Sequence, residues 1–162
     1  RYAKAKFHKS EDINIIERLI NKIMVAGHRA KKHKITSYHM TGKAVNAYKT
    51  VEDAFKKIEE KTKQNPFFVF VKAMENSAPR EEVIAIEYGG ARYPKAVECA
   101  PQRRIDLVLR WIIQEAYDTS FNTKKSLKDS LTEAIINAYN NDKKSKAISK
   151  KFELERQADA SR

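Results

Sequence analysis

Residues 83–111 read VIAIEYGGARYPKAVECAPQRRIDLVLRW, and this stretch decides the fold. Two β-rich runs, 83–88 and 91–99, flank Gly89-Gly90. A two-residue glycine connection between such runs predicts a hairpin, because the tight turn needs positive φ at its centre. Pairing across it sets Glu87 opposite Arg92 and Ile86 opposite Tyr93, both favourable cross-strand pairs. Pro94 cannot donate to a ladder, which predicts a free edge there. Pro101 then opens a helix whose inner face carries Ile105, Val108, Leu109, Ile112 and Ala116. A step of about 100° per residue puts Arg103 and Arg110 opposite that face, while Arg104 and Trp111 share a flank. Ribbon and helix start therefore present one surface, with arginines suited to bidentate phosphate contact and to stacking on bases. Leu107 points the same way as these arginines, so that side should be covered as well. Trp111 reads first as a core-edge aromatic and only second as a stacking platform.

Upstream, Asn65-Pro66 forms an N-cap followed by proline at the first helical position. The helix it starts, 67–77, is apolar nearly all round (Phe67, Phe68, Val69, Phe70, Val71, Ala73, Met74), the pattern of a central core helix. Before it, Ala44, Ala47, Tyr48, Val51, Ala54, Phe55 and Ile58 make an unbroken helical stripe. The first helix is expected to be capped by Ser10, to bury Ile13, Ile16, Ile20 and Ile23, and to end at Gly27. Downstream, Ser126 should cap a helix carrying Leu127, Leu131, Ile135 and Ala138. A last helix over 145–160 shows Ile148 and Phe152 among charges. The expected architecture is mainly α: a six-helix bundle with a protruding two-stranded antiparallel β-hairpin. It forms a single domain over 1–162, with a basic arm (1–9), a basic loop (28–43) and the hairpin (83–99).

Lys and Arg number 33 against 21 Asp and Glu, a net charge of +12. Self-repulsion opposes compaction, so folding alone gives no reason for that excess. A polyanionic partner does: nucleic acid first, an anionic membrane surface second. The cations are unevenly placed. Within 1–50 the only acids are Glu11, Asp12 and Glu17, which leaves the arm and the loop free of negative charge. A mixed-sign run is usually a solvated face, whereas two acid-free runs favour a phosphate footprint. Tyr2, Phe7, Tyr38 and His39 lie among these cations, a mix that stacks bases while charge tracks the backbone.

Catalysis finds no support in the sequence. GxGxxG, GxxxxGK[ST], HExxH and GxSxG are all absent. His8, His28, His33 and His39 lie in basic stretches, where neighbouring cations oppose metal binding. With Cys99 they show no zinc spacing. Cys99 reads as a small buried hydrophobe, and a lone cysteine excludes an internal disulfide. Glu59-Glu60 and Glu81-Glu82 read as solvated helix-end or loop residues. No catalytic residue, metal, cofactor or small-molecule substrate is expected, and no apolar run is long enough for a membrane helix. The chain opens on Arg1 instead of methionine, which suggests residues ahead of it in the natural protein.

Three segments carry a resemblance: residues 83–116, the preceding NPFFVFVKAMENSAPRE (65–81), and the ending KKFELERQADASR. Their most specific element is YGG-x-R-Y, P-x-R-R and R-W, met by Tyr88, Gly89, Gly90, Arg92, Tyr93, Pro101, Arg103, Arg104, Arg110 and Trp111. The whole chain resembles, in order, the small-subunit ribosomal protein number seven family. The resemblance implies six helices with a β-ribbon and binding to the 3′ (head) domain of small-subunit ribosomal RNA. It also implies nucleation of head assembly, and a cytoplasmic place in the ribosome with the ribbon near the exit-site tRNA and the messenger RNA exit path. Other small-subunit proteins are implied neighbours. By matching position the RNA grip falls on Lys4, Lys6 and Lys9 of the arm, Lys31, Lys32 and Lys34 of the loop, and Arg103-Arg104. Further expected contacts are Arg29, Arg80, Arg92, Tyr93, Lys95, Arg110, Lys124 and Lys125, with Gly89 and Gly90 at the ribbon tip. The loop 28–43 is longer than in bacterial members and the aromatic-rich bacterial tail is missing, as in archaeal or eukaryotic-cytosolic forms. The first ribbon strand is also poor in cations, which leaves tRNA or protein packing open for it. The rival readings are a free-standing RNA-binding regulator that represses its own message, and an RNA-processing enzyme.

Overall fold

Side-chain caps set where the helices begin. In the computed structural model, which describes residues 13–29, 32–33, 37 and 40–162, Asn14 Oδ1 accepts the Ile16 N–H at 2.9 Å and starts α1 (Ile15–Ile23). The helix therefore begins later than a Ser10 cap would place it, and Ile13 precedes it; Ser10 lies outside the described residues. α1 also ends earlier than expected, at Ile23, followed by a turn to Gly27, whose N–H donates to Ser37 Oγ at 2.6 Å. Within the expected basic loop, His28–Arg29 (β1) and Lys32–His33 (β2) pair antiparallel, so that segment is not wholly irregular. α2 (Ala44–Thr62) ends on Lys63 in the left-handed region at φ 56°. Asn65 then caps α3 (Pro66–Ser77) through the Phe67 N–H.

α3 is more one-sided than its composition suggests. It buries Val69, Phe70, Ala73 and Met74, yet Phe67 is 54% exposed, Phe68 59% and Val71 46%. Apolar residues can remain at a surface, so an all-apolar helix need not be enclosed on every side. Tyr48 of α2 likewise stands out of the stripe expected to be buried.

The ribbon forms as expected. β3 (Glu81–Tyr88) and β4 (Ala91–Glu98) pair antiparallel with Ile86 opposite Tyr93 and Glu87 opposite Arg92. Gly89 and Gly90 have φ of 58° and 82°, values an L side chain rarely adopts. β3 takes in Glu81 and Glu82, which are strand residues and not solvated loop. Cys99 follows β4, buried, and donates its N–H to the Arg80 carbonyl at 2.9 Å.

α4 (Pro101–Ser120) runs from the ribbon base through the core, burying Leu107, Val108, Leu109, Trp111, Ile112, Ile113 and Ala116. Leu107 and Trp111 are covered, in line with the core-edge reading. α5 (Leu127–Tyr139), capped by Ser126 Oγ on the Asp129 N–H, packs on α2, α3 and α4 together. Its buried Thr132 hydroxyl donates to the Lys128 carbonyl at 2.8 Å, whereas the buried Ser130 hydroxyl of the same helix has no partner among the described residues. α6 (Lys146–Asp159) buries Ala147, Ile148 and Ala158 and leaves Phe152 outside. It lies against α4 and the ribbon base. One core runs through all six helices, centred on Leu19, Ile58, Phe70, Leu109, Ile112, Leu131 and Ile135. Truncating one of these to alanine costs about 2–5 kcal/mol.

Candidate nucleic-acid interface

The interface is best built from the start of α4, where two adjacent arginines meet the ribbon. Arg103 is tethered: its Nε lies 2.5 Å from Glu82 Oε1, and the Glu82 side chain is only 13% exposed. The pair fixes the ribbon base to the helix start, and Arg103 keeps its outer edge in solvent. Glu82 was not expected in this role; the signal was its place on the same strand face as Ile84 and Ile86, pointing back to α4 at the root of the hairpin. Burial, with Glu82 close by, pushes the Cys99 thiol up, which keeps it protonated beside this pair.

Arg104 is different. It is half-buried, and its Nε has no hydrogen-bond partner among the described residues. The side chain borders an apolar hollow of about 330 Å³ lined by Ile15, Val71, Met74, Ile105 and Val108. A buried guanidinium N–H without an acceptor is costly to the fold, and this one is closed off from solvent. Arg110 stands exposed two turns further along α4. Arg80 is exposed beside the ribbon root, its N–H donating to Glu155 Oε1 at 3.2 Å.

Among the described residues the expected contacts do not gather into one patch. Lys124 and Lys125 follow the C-terminal end of the 20-residue α4, which lies about 25 Å along its axis from Arg103. Lys124 is exposed, and Lys125 is held in an ion pair with Glu133. Arg29 and Lys32 are Cα partners in the small β1–β2 ladder. Lys4, Lys6, Lys9, Lys31 and Lys34 lie outside the described residues, as do Tyr2, Phe7, Tyr38 and His39.

The ribbon is not a cationic finger. Glu81, Glu82, Glu87 and Glu98 outnumber Arg92 and Lys95 in its two strands, and Arg92 Nε lies 3.6 Å from Glu87. Strand alternation and register place Ile84, Ile86, Tyr88, Tyr93 and Lys95 on one face. Tyr88 is 82% and Tyr93 59% exposed there. That face offers stacking and apolar contact more than charge.

One arginine missed in the sequence is structural. Arg18 of α1 is buried, donating to Gln102 Oε1 at 2.8 Å and Asp106 Oδ1 at 3.0 Å, and so ties α1 to α4. Among the described residues no cluster of His, Cys, Asp and Glu is placed to hold a metal, and no helix is long and apolar enough to cross a membrane.

Comparison with known proteins sharpens this picture. A sequence model of the family described as ribosomal protein S7p/S5e matches residues 1–162. The chain belongs to that family. A small ribosomal subunit protein uS7 from Nanoarchaeum equitans is 54% identical over 162 residues, covering 100% of this chain and 81% of the relative. Proteins of the same description from Methanothrix thermoacetophila and Archaeoglobus fulgidus are 45% and 43% identical over the full chain, which spans 81% and 77% of their lengths. All three sources are archaeal, one of the two forms the long loop suggested. Membership makes the chain a ribosomal protein of the family and not an enzyme.

Proposed function

We propose that the protein is a structural constituent of the small ribosomal subunit that grips the 3′ (head) domain of its RNA and helps nucleate head assembly. The whole chain acts as a single domain, and it works in the cytoplasm within the ribosome. The rigid helices hold an RNA junction in one geometry, while cations displace counterions from the phosphates. The RNA reading is carried by the cluster of arginines around the half-buried Arg104 at the ribbon root. Arg80, Arg103 and Arg110 flank it on exposed surface. Lys124 and Lys125 form a second contact at the far end of α4, and the arm and the 28–43 loop add the acid-free charge.

The aromatic ribbon face, with Gly89-Gly90 at its tip, lies near the exit-site tRNA and the messenger RNA path. Its exposed Tyr88 and Tyr93 and its poverty in cations suit stacking and van der Waals contact. Chemical footprinting tests this reading. Protein added to a 3′-domain RNA fragment should protect a defined junction, and the chain should sediment with small subunits in lysate. Protection spread evenly over unrelated RNA, with most protein in the free fraction, would favour a free-standing regulator instead.

A further inference from the structure

A groove runs between α1 and α2 and reaches the start of α3. Its two halves, about 520 and 230 Å³, share Ile16, Ile20 and Tyr48, so they form one channel. Phe55 and Phe67 close one end, their rings edge-on with centroids 5.5 Å apart. Tyr48 and Phe67 are each more than half exposed, and Val45 is 68% exposed at the other end. Apolar side chains exposed side by side along one groove form a surface that a partner can cover.

The charge on the rim says what docks. Among the described residues, Glu17, Glu52 and Glu59 line the groove against Lys56 alone, and Lys56 Nζ is already held by Glu52 at 2.8 Å. This reverses the sign of a chain in which Lys and Arg exceed Asp and Glu by 33 to 21. A carboxylate rim repels RNA phosphate. A second copy of the chain, at +12, is repelled by the net charge of the first. What fits an apolar floor with an acidic rim is a polypeptide carrying Lys or Arg between apolar anchors.

We propose that this groove docks a cationic, apolar-anchored segment of a neighbouring protein in the same subunit. The inference rests on the ribosomal reading above. Its test uses full-length chain in assembled subunits, with photoreactive benzoylphenylalanine at Tyr48, at Val45, or at Phe152 on α6 as a control. The Tyr48 and Val45 probes should crosslink to a peptide of another subunit protein in which Lys or Arg neighbours apolar residues. Yield should exceed that of the Phe152 probe, and Glu17→Lys with Glu59→Lys should lower it about tenfold or more. Crosslinks to ribosomal RNA or to this chain's own residues, or a yield indifferent to the charge reversals, overturn the proposal while leaving the ribosomal reading intact. Failure of the probe-bearing and native chains alike to enter small subunits overturns both.

Discussion

Arg103 and Arg104 are neighbours in sequence but meet opposite surroundings. Arg103 faces Glu82, so replacing it with glutamate would set two carboxylates together at the ribbon root and confuse loss of binding with loss of structure. Neutral variants separate the two. Arg103→Gln leaves the largely covered Glu82 without its counter-ion and should lower unfolding free energy by about 1 kcal/mol in denaturant titration. Arg104→Met removes an unpartnered N–H, so stability should hold or rise slightly. RNA affinity, however, should fall about tenfold, with a salt slope shallower by about 0.7–0.9 if one phosphate contact is lost. A variant that unfolds easily yet binds RNA as tightly as before would show that Arg104 is structural. In sequence the two arginines look equivalent. What distinguishes them is Glu82, about twenty positions away and brought back by the hairpin, and no local pattern reports such a contact.

At the scale of elements, α6 decides how the ribbon is held. Its N-terminus is capped from another helix: Glu115 of α4 accepts the Lys146 N–H at 2.8 Å and the Ser145 hydroxyl at 3.3 Å. At its other end Arg162 binds both carboxylate oxygens of Glu81 at 2.7 Å, and Lys151 Nζ donates to the Asn76 carbonyl at 2.9 Å. Glu115→Ala should cost about 1 kcal/mol, as loss of an N-cap does. Burial raises the Glu115 carboxyl above its ordinary value, outweighing the hydrogen bonds and Lys146 charge that favour the ionised form. A raised carboxyl binds its proton more tightly folded than unfolded. Its stabilising term is therefore complete below the ordinary glutamate range and is lost as pH rises through the folded value. Glu115→Gln keeps an acceptor and removes this titration, so its stability relative to the parent should increase as pH rises across that window. A difference independent of pH would contradict the assignment. Of these elements, the hairpin was the most legible, because Gly89-Gly90 demands a conformation that few other pairs adopt. α3 was the least: Phe67, Phe68 and Val71 read as core, yet nothing in local sequence tells an enclosed apolar face from one left open at the surface. The Asn14 cap was hidden by Ser10, a better-looking signal further from the helix.

For the whole molecule the governing feature is where charge is absent as much as where it is dense. The ribbon and the α1–α2 groove carry more acid than base, within a chain of net +12. The cations stand instead at the α4 start, beyond the far end of α4, in the arm and the 28–43 loop, and along α2 and α6, where many are paired with acids. The sign and size of that charge were readable from composition. Its division into cationic segments and carboxylate-rimmed apolar surfaces was not, because it depends on which helices fold beside one another. The most direct measurement is the affinity for a 3′-domain RNA fragment as salt is raised from about 50 to 200 mM. If about 6–10 phosphates are contacted, affinity should fall on the order of 10³–10⁵-fold. A nearly flat response, or equal affinity for unrelated RNA across the range, would contradict the account.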